Sequence, residues 1–183
     1  LCQPSGGRGM HNQFNGEGQV VVQAEAIYGG INTSPSEPVR PAQLPPVPEL
    51  FVDREEERER LHAVLARESV AGRAKHVVIS GPSGSGKSAL AVRWLHDVLS
   101  RYSDGQVYFD FHARHRSVDP LELAQYCLRS IGVGGGEIPE TLHEAVALLR
   151  TRTHGRRYVF VFDNLPDSRF LRALQLSAAD ILV

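Results

Sequence analysis

The residues with the clearest chemistry form a glycine-rich stretch near the middle of the chain. The phosphate-binding pattern G-x-x-x-x-G-K-[ST] is matched at every fixed position by Gly81-Pro82-Ser83-Gly84-Ser85-Gly86-Lys87-Ser88. In such a loop the glycines let backbone N–H groups surround a phosphate, the lysine reaches the β- and γ-phosphates, and the final hydroxyl ligates Mg²⁺. We therefore predict that this loop and the next residue, Ala89, bind a nucleotide, with Lys87 also acting in catalysis.

An acid at the end of an apolar stretch is the second candidate for a residue with a chemical role. Asp163 directly follows Tyr158-Val159-Phe160-Val161-Phe162, which is typical of a strand buried on both faces. Ligands bind at the carboxyl ends of the strands in open parallel sheets. We expect Asp163 to lie there, to hold Mg²⁺ together with Ser88 and to be the second catalytic residue.

The residue after Asp163 bears on the rate of hydrolysis. Many P-loop ATPases that insert a strand beside the P-loop strand have an acid at this position, where it polarises the attacking water, but this chain has Asn164. An amide can orient a water but cannot accept its proton near neutral pH. The sequence therefore favours a slow ATPase, unless another residue supplies the base.

Strands and helices alternate around these residues. Strands are predicted at 76–80, 106–111, 158–162 and 181–183, and helices at 88–99, 120–131, 139–152 and 168–176. This alternation indicates βαβ units and a parallel sheet. The predicted fold is an α/β P-loop NTPase, a three-layer sandwich with a parallel sheet.

The first residues differ in composition from the rest. They contain most of the eleven prolines, and residues 34–48 read as an extended linker after two short candidate strands within 19–28. We predict an N-terminal arm over residues 1–48 that supplies no part of the sheet, and a nucleotide-binding domain over residues 49–183. Because the chain stops within a predicted strand, we expect this domain to be incomplete and inactive by itself.

Composition excludes several classes of protein. A net charge of −1 argues against a protein that coats nucleic acid, and direct nucleic-acid contact is not expected even from the basic cluster between Arg150 and Arg157. The chain has no apolar run long enough for a membrane span and no signal-peptide pattern. Its two cysteines, Cys2 and Cys127, lie far apart, which favours a reducing compartment. A cytoplasmic protein is expected.

Three segments together resemble a known family. Phe51-Val52-Asp53-Arg54-Glu55, the glycine-rich loop and the Asp163-Asn164 strand end are similar to the NB-ARC type of STAND ATPase, a P-loop module that binds ATP or ADP with Mg²⁺. The likeness is greatest to actinobacterial regulators with tetratricopeptide repeats. It covers nearly the whole chain, but only the first half of that family's nucleotide module.

The resemblance also implies an adenine contact, further domains and a function. In the family, the segment corresponding to Phe51, Val52 and Arg54 contacts the adenine, and a glycine stands where this chain has Asp53. A sensor arginine, a small helical domain, a winged helix and the repeats follow in the family, and activation can involve oligomerisation. The implied function is a regulatory switch that holds ADP and exchanges it for ATP.

Two other functions stay open. An AAA+ or origin-recognition-like ATPase that acts on nucleic acid shares the F-V-x-R-E opening, although the missing acid at Asn164 counts against it. A small-molecule kinase would need an arginine-bearing lid and an acceptor site, neither of which can be assigned.

Overall fold

Parallel strands form the centre of the fold. The structure is a computed structural model that describes residues 39–49, 51, 53–66, 75–114, 117–174, 176 and 180–182. Within these residues the strands are β1 (His76–Val77), β2 (Gly105–Asp110), β3 (Tyr158–Asp163) and β4 (Asp180–Leu182). Their order across the sheet is β1-β4-β3-β2, and every neighbouring pair is parallel. The predicted parallel sheet is confirmed, and β4 is the strand inserted between the P-loop strand β1 and the Asp163 strand β3.

Helices cover both faces of this sheet. In chain order they are α1 (Glu55–Ala66), α2 (Lys87–Asp97), α3 (Pro120–Ser130), α4 (Leu142–Thr153) and α5 (Arg169–Leu174). Buried residues of α1 and α2 pack on one face, and buried residues of α3, α4 and α5 pack on the other. The predicted three-layer α/β arrangement is therefore present.

The alternation of side chains along β3 determines where Asp163 points. Val159 and Val161 are buried in the cluster of α1 and α2, whereas Phe160 and Phe162 are buried in the cluster of α3, α4 and α5. Successive side chains of a strand point to opposite faces. Asp163 thus belongs to the face that carries α2 and the loop before it.

Two element boundaries differ by three residues from those predicted. Helix α4 begins at Leu142 rather than at Pro139, because the Thr141 side chain caps it by accepting a hydrogen bond from Glu144 N at 3.4 Å. Strand β1 ends at Val77 instead of reaching Ser80. The chain therefore leaves the sheet before the glycine-rich loop begins.

Part of the proline-rich segment pairs with the edge of the sheet. Gln106 N donates to Pro41 O at 2.7 Å, and Gln43 N donates to Gln106 O at 3.1 Å, which makes a parallel bridge between Ala42 and Gln106. A Cβ at Gly105 would lie 2.6 Å from Pro41 O, so this close approach requires glycine. The prediction that residues 1–48 supply no part of the sheet is wrong for residues 41–43, because a proline-rich segment still offers its carbonyl groups, and the N–H groups of its other residues, to an open edge.

The structure does not test the strands predicted in the N-terminal arm. The two candidate strands within residues 19–28 lie outside the described residues. The described residues from 39 onward belong to one compact unit. In the described part of the chain, no helix combines the length and the apolar character needed to cross a membrane.

Candidate nucleotide-binding site

The glycine-rich loop joins β1 to the first turn of α2. Gly86 precedes the helix with φ 82°, a left-handed conformation that glycine adopts without steric cost. The first intrahelical hydrogen bond runs from Leu90 N to Gly86 O at 2.9 Å, so the N–H groups of Lys87, Ser88 and Ala89 precede the hydrogen-bonded ladder. These donors and the positive end of the helix dipole suit an anion.

The Lys87 ammonium lies over the loop. Its Nζ donates to Gly81 O at 3.0 Å and to Pro82 O at 2.8 Å, and the side chain is partly exposed. The carbonyl groups therefore hold the cation beside the same backbone that presents the N–H donors. A positive charge and backbone donors at one place form a suitable site for phosphate.

Asp163 meets the helix end of the loop. Ser88 Oγ donates to Asp163 Oδ1 at 2.8 Å, and Asn164 N donates to the same oxygen at 3.0 Å. The structure therefore brings together two residues that the sequence assigned to the same metal. Hydroxyl and carboxylate oxygens are the ligands that Mg²⁺ prefers, so this donor pair fits a magnesium ion.

Tyr108 is a site residue that the sequence reasoning missed. Its hydroxyl donates to Asp163 Oδ2 at 2.7 Å from the neighbouring strand β2. Burial first, and then the hydrogen bond to Asp163, raise the pKa of Tyr108 far above its ordinary value, which is consistent with a protonated hydroxyl that donates to Asp163. The available signal was its place in β2, between Val107 and Phe109, where a tyrosine faces the side opposite to its buried neighbours.

Asn164 makes a second contact between the two strand ends. Its side-chain Nδ2 donates to Asp110 Oδ1 at 2.9 Å, and its backbone has φ 58°, in the left-handed region. Asparagine tolerates this conformation better than most residues. Asp110 was not assigned a role from the sequence, because the pairing of β2 with β3 cannot be read from one strand alone.

Of the residues expected at the adenine, the structure describes Phe51 and Arg54. Arg54 donates to Ser85 O at 2.6 Å and pairs with Glu57 at 3.3 Å, so it contacts the loop itself. Phe51 packs against the buried cluster of α1 and α2, and Val52 lies outside the described residues. Asp53 adopts φ 56°, the left-handed conformation for which the family's glycine is suited. Adenine contact by this segment stays a prediction.

A cavity connects four of the predicted phosphate and metal residues. It has a volume of about 280 Å³ and is lined by Gly81, Lys87, Ser88, Asp163 and Asn164, together with Tyr108 and apolar residues of the sheet. Pro82, Ser83, Gly84 and Gly86 are exposed on the loop, and Ser85 and Ala89 are partly exposed. The site thus faces solvent on the loop side and the sheet on the other.

Comparison with protein families decides the class of the domain. A family model described as an AAA ATPase domain matches residues 50–178. The chain belongs to this family. An AAA ATPase domain is a nucleotide-binding domain, in agreement with the loop and the strand end described above.

Two curated relatives match the chain over a longer stretch than the AAA ATPase domain. They are Regulatory protein AfsR of Streptomyces coelicolor, 33% identical over 165 residues, and Regulatory protein AfsR of Streptomyces griseus, 35% identical over 137 residues. The matches cover 85% and 74% of this chain but only 17% and 14% of the relatives. The likeness to actinobacterial regulators predicted from the sequence is therefore confirmed, and the chain spans a small part of their length.

Solved structures confirm the fold of this AAA ATPase domain. The structure of Drosophila ORC bound to DNA and that of the Aeropyrum pernix ORC1 protein in complex with DNA both match with a TM-score of 0.51. Their sequences are 18% and 24% identical, and each match covers 74% of this chain and 39% of the other. At this identity the comparison shows a shared α/β P-loop fold and nothing about DNA.

Proposed function

We propose that this AAA ATPase domain is the nucleotide-binding module of a signalling or transcriptional regulator, and that it acts as a slow switch between ADP and ATP. The observation that carries the proposal is the contact of Ser88 Oγ with Asp163 Oδ1 at 2.8 Å, beside the Lys87 ammonium. A phosphate cradle and an oxygen pair suited to Mg²⁺ meet at one point. An adenine nucleotide with Mg²⁺ is the ligand that fits this arrangement.

Different residues would bind the phosphates and the metal. The loop N–H groups and Lys87 would hold the β- and γ-phosphates, and Ser88 and Asp163 would hold Mg²⁺. When bound, Mg²⁺ neutralises negative charge on the phosphate oxygens. Tyr108 orients Asp163 by its hydrogen bond to the second carboxylate oxygen at 2.7 Å.

Slow turnover is favoured by the residue beside Asp163, which cannot itself act as the base. Asn164 is an amide, and an amide cannot accept the proton of an attacking water near neutral pH. Its side chain is instead bonded to Asp110 at 2.9 Å. A site that binds nucleotide well and hydrolyses it slowly remains in one nucleotide state for a long time, which is the property that a switch requires.

The regulatory role rests on the relatives. The two matched Streptomyces proteins are named regulatory proteins, and this chain covers less than a fifth of either. We propose that a NB-ARC or STAND module continues beyond this segment into a winged helix and tetratricopeptide repeats, as the sequence resemblance implies. The bound nucleotide would then bias the arrangement of these domains, and oligomerisation would follow activation.

The basic side chains before β3 do not favour an ATPase that acts on nucleic acid. Arg152 pairs with Glu137 at 2.8 Å, and Arg156 pairs with Asp104 at 3.2 Å. Phosphate contacts in nucleic-acid complexes depend on basic side chains that are available to the backbone. Two members of the predicted basic cluster are already engaged with acids.

The experiment is to identify the nucleotide that the intact protein retains. The protein is purified without added nucleotide and denatured, and the released nucleotides are separated by ion-exchange chromatography. We expect close to one adenine nucleotide per chain, mostly ADP, and hydrolysis of added ATP slower than about one turnover per minute, well below the usual range for enzymes. Retained guanine nucleotide, or turnover of about ten per second, would contradict the proposal.

A further inference from the structure

We propose that Asp110 and Asn164 together hold the water that attacks the γ-phosphate, and that Asp110 accepts its proton. This inference rests on the proposed function, because it assumes that ATP is bound at the loop. It assigns the base that Asn164 cannot supply. Three features support this assignment, namely the pairing of β2 with β3, the hydrogen bonds of the Asp110 carboxylate and the backbone of Asn164.

The pairing of the strands places Asp110 beside Asp163. The two residues are opposite each other in the parallel register of β2 and β3, and both are the last residues of their strands. Neighbouring strands lie about 4.8 Å apart, and paired residues share a face of the sheet. Asp110 therefore lies one strand beyond the metal ligand, on the face that carries the loop.

The hydrogen bonds of Asp110 leave one oxygen available. Asn164 Nδ2 donates to Oδ1 at 2.9 Å, and His112 N donates to the same oxygen at 2.8 Å. Among the described residues, no hydrogen bond to Asp110 Oδ2 is present. The carboxylate is thus fixed through one oxygen while the other can accept a proton donor.

Asn164 lies at the cavity and has a left-handed backbone. With φ 58° the chain turns at this residue, and Asn164 lines the cavity that also contains Lys87, Ser88 and Asp163. It also lines a second cavity, of about 430 Å³, together with Phe111 and His112. Left-handed conformations of residues other than glycine are concentrated at functional sites.

A water nucleophile needs the two acceptors that this pair offers. When a water presents a lone pair to phosphorus, both of its hydrogens must point elsewhere, and each needs an acceptor. The amide oxygen of Asn164 can take one hydrogen, and Asp110 Oδ2 can take the other. Only the carboxylate can then remove a proton, since the amide has no basic site.

The reaction balances with these groups alone. The water oxygen forms a bond to the γ-phosphorus, and the bond from that phosphorus to the β–γ bridging oxygen breaks. The bridging oxygen leaves with ADP and retains the bond's electron pair. One proton of the water passes to Asp110 and then to solvent, so that ATP and water yield ADP, inorganic phosphate and a proton.

Asp110→Asn is the most informative variant. Its amide oxygen can still accept the hydrogen bonds from His112 N and Asn164 Nδ2, so the fold is retained while the negative charge is lost. The matched control is Asp104→Asn, the same substitution just before β2, at the opposite end from the site. Asn164→Gly is a second variant, which keeps the left-handed backbone and removes only the side-chain amide.

The experiment measures single-turnover hydrolysis of radiolabelled ATP, the dissociation constant of ADP and the melting temperature, all on the intact protein. Because proton transfer to a positioned base contributes about 10²–10⁴-fold, we expect Asp110→Asn to lower the rate at least about tenfold. The ADP dissociation constant should stay within about threefold, which is less than 1 kcal/mol. Asp104→Asn should keep the wild-type rate, and Asn164→Gly should lower it while retaining ADP.

The outcomes separate this inference from the proposed function. Wild-type hydrolysis in Asp110→Asn would overturn the assignment of the base, and wild-type hydrolysis in Asn164→Gly would overturn the role of the amide. If the wild-type protein binds ADP but hydrolyses ATP no faster than Lys87→Ala does, the inference is also overturned. The proposed nucleotide switch would remain intact. Failure of the wild-type protein to bind ADP or ATP would instead contradict the proposed function itself.

Discussion

The Tyr108 hydroxyl holds one carboxylate oxygen of Asp163 at 2.7 Å, while the other oxygen of Asp163 accepts Ser88 Oγ at 2.8 Å. The acid is therefore fixed from two elements, the neighbouring strand β2 and the first turn of α2. A ligand held on both oxygens loses little conformational freedom when it binds a metal. We therefore propose that Asp163 acts on the metal, whereas the loop holds the phosphates.

Asp163→Asn should separate hydrolysis from nucleotide binding. The amide removes the negative charge that favours Mg²⁺ but leaves the loop N–H groups and Lys87 in place. In the intact protein we expect loss of most magnesium-dependent hydrolysis, while ADP affinity without magnesium falls by less than about tenfold, or roughly 1.4 kcal/mol. Titration calorimetry in EDTA and a phosphate-release assay measure the two effects. Equal loss of ADP binding without magnesium would mean that this strand end contacts the nucleotide directly.

Tyr108→Phe should weaken magnesium binding without removing the ring from the sheet. Substitution of a residue that orients a metal ligand typically costs about 10–100-fold in metal affinity. We expect the magnesium concentration that gives half of the maximal hydrolysis to rise by about tenfold, with ADP affinity in EDTA unchanged. Tyr158→Phe, at the other end of β3, is the control and should leave the magnesium dependence alone. Identical magnesium curves for Tyr108→Phe and wild type would remove Tyr108 from the site.

Much of the site could be predicted because its signals are local. The loop pattern lies in eight consecutive residues, and Asp163 directly follows its apolar strand. The alternation of strands and helices then required both to lie at the same edge of a parallel sheet. The contact of Ser88 with Asp163 follows from these features alone.

The parts of the fold and of the site that were not predicted depend on contacts between segments far apart in the sequence. Tyr108 and Asp110 reach β3 residues only because β2 pairs with β3 in one particular register, which no single strand encodes. Pro41 and Gln43 lie in a segment whose prolines suggested a linker, although its backbone pairs with Gln106. Local composition indicates which residues can form a strand but not which open edge accepts them.

The segment on the edge of β2 should contribute to stability. Beyond the backbone bonds to Gln106, Gln43 Oε1 accepts Tyr108 N at 3.1 Å and Tyr126 Oη at 3.3 Å. With about 1 kcal/mol for each net hydrogen bond, we expect a chain that starts at residue 49 to be about 2–4 kcal/mol less stable than one that starts at residue 39. Urea unfolding of the two shortened proteins measures this difference. Equal unfolding midpoints would show that the paired segment does not stabilise the sheet, as the sequence alone had suggested.

Low pH should weaken the contact between Asp104 and the turn before β3. The backbone N–H of Arg157 donates to Asp104 Oδ2 at 2.8 Å, and this bond, with help from Arg156, holds the pKa of Asp104 below its ordinary value. A lowered pKa contributes stability that is present above the unfolded value of about 3.9 and is lost as the pH falls through the folded value.

The Asp104→Asn variant tests this contribution. We expect it to be less stable than wild type at pH 7 and to lose less stability than wild type between about pH 5 and pH 3, because the titrating group is absent. Urea unfolding at several pH values in this range measures the effect. Parallel curves of stability against pH for the two proteins would contradict the role of Asp104.

Binding of ADP to the intact protein, with and without Lys87, tests the central claim most directly. The chain offers a matched control, because Lys75 donates to a backbone carbonyl of α1, Leu65 O, away from the loop. Lys87 is partly exposed and bonded only to loop carbonyls among the described residues, so Lys87→Ala should fold normally. Titration calorimetry should give wild-type ADP affinity for Lys75→Ala and no measurable binding for Lys87→Ala, a loss of at least about a hundredfold. An ADP affinity of Lys87→Ala within about threefold of wild type would show that the glycine-rich loop is not the phosphate site.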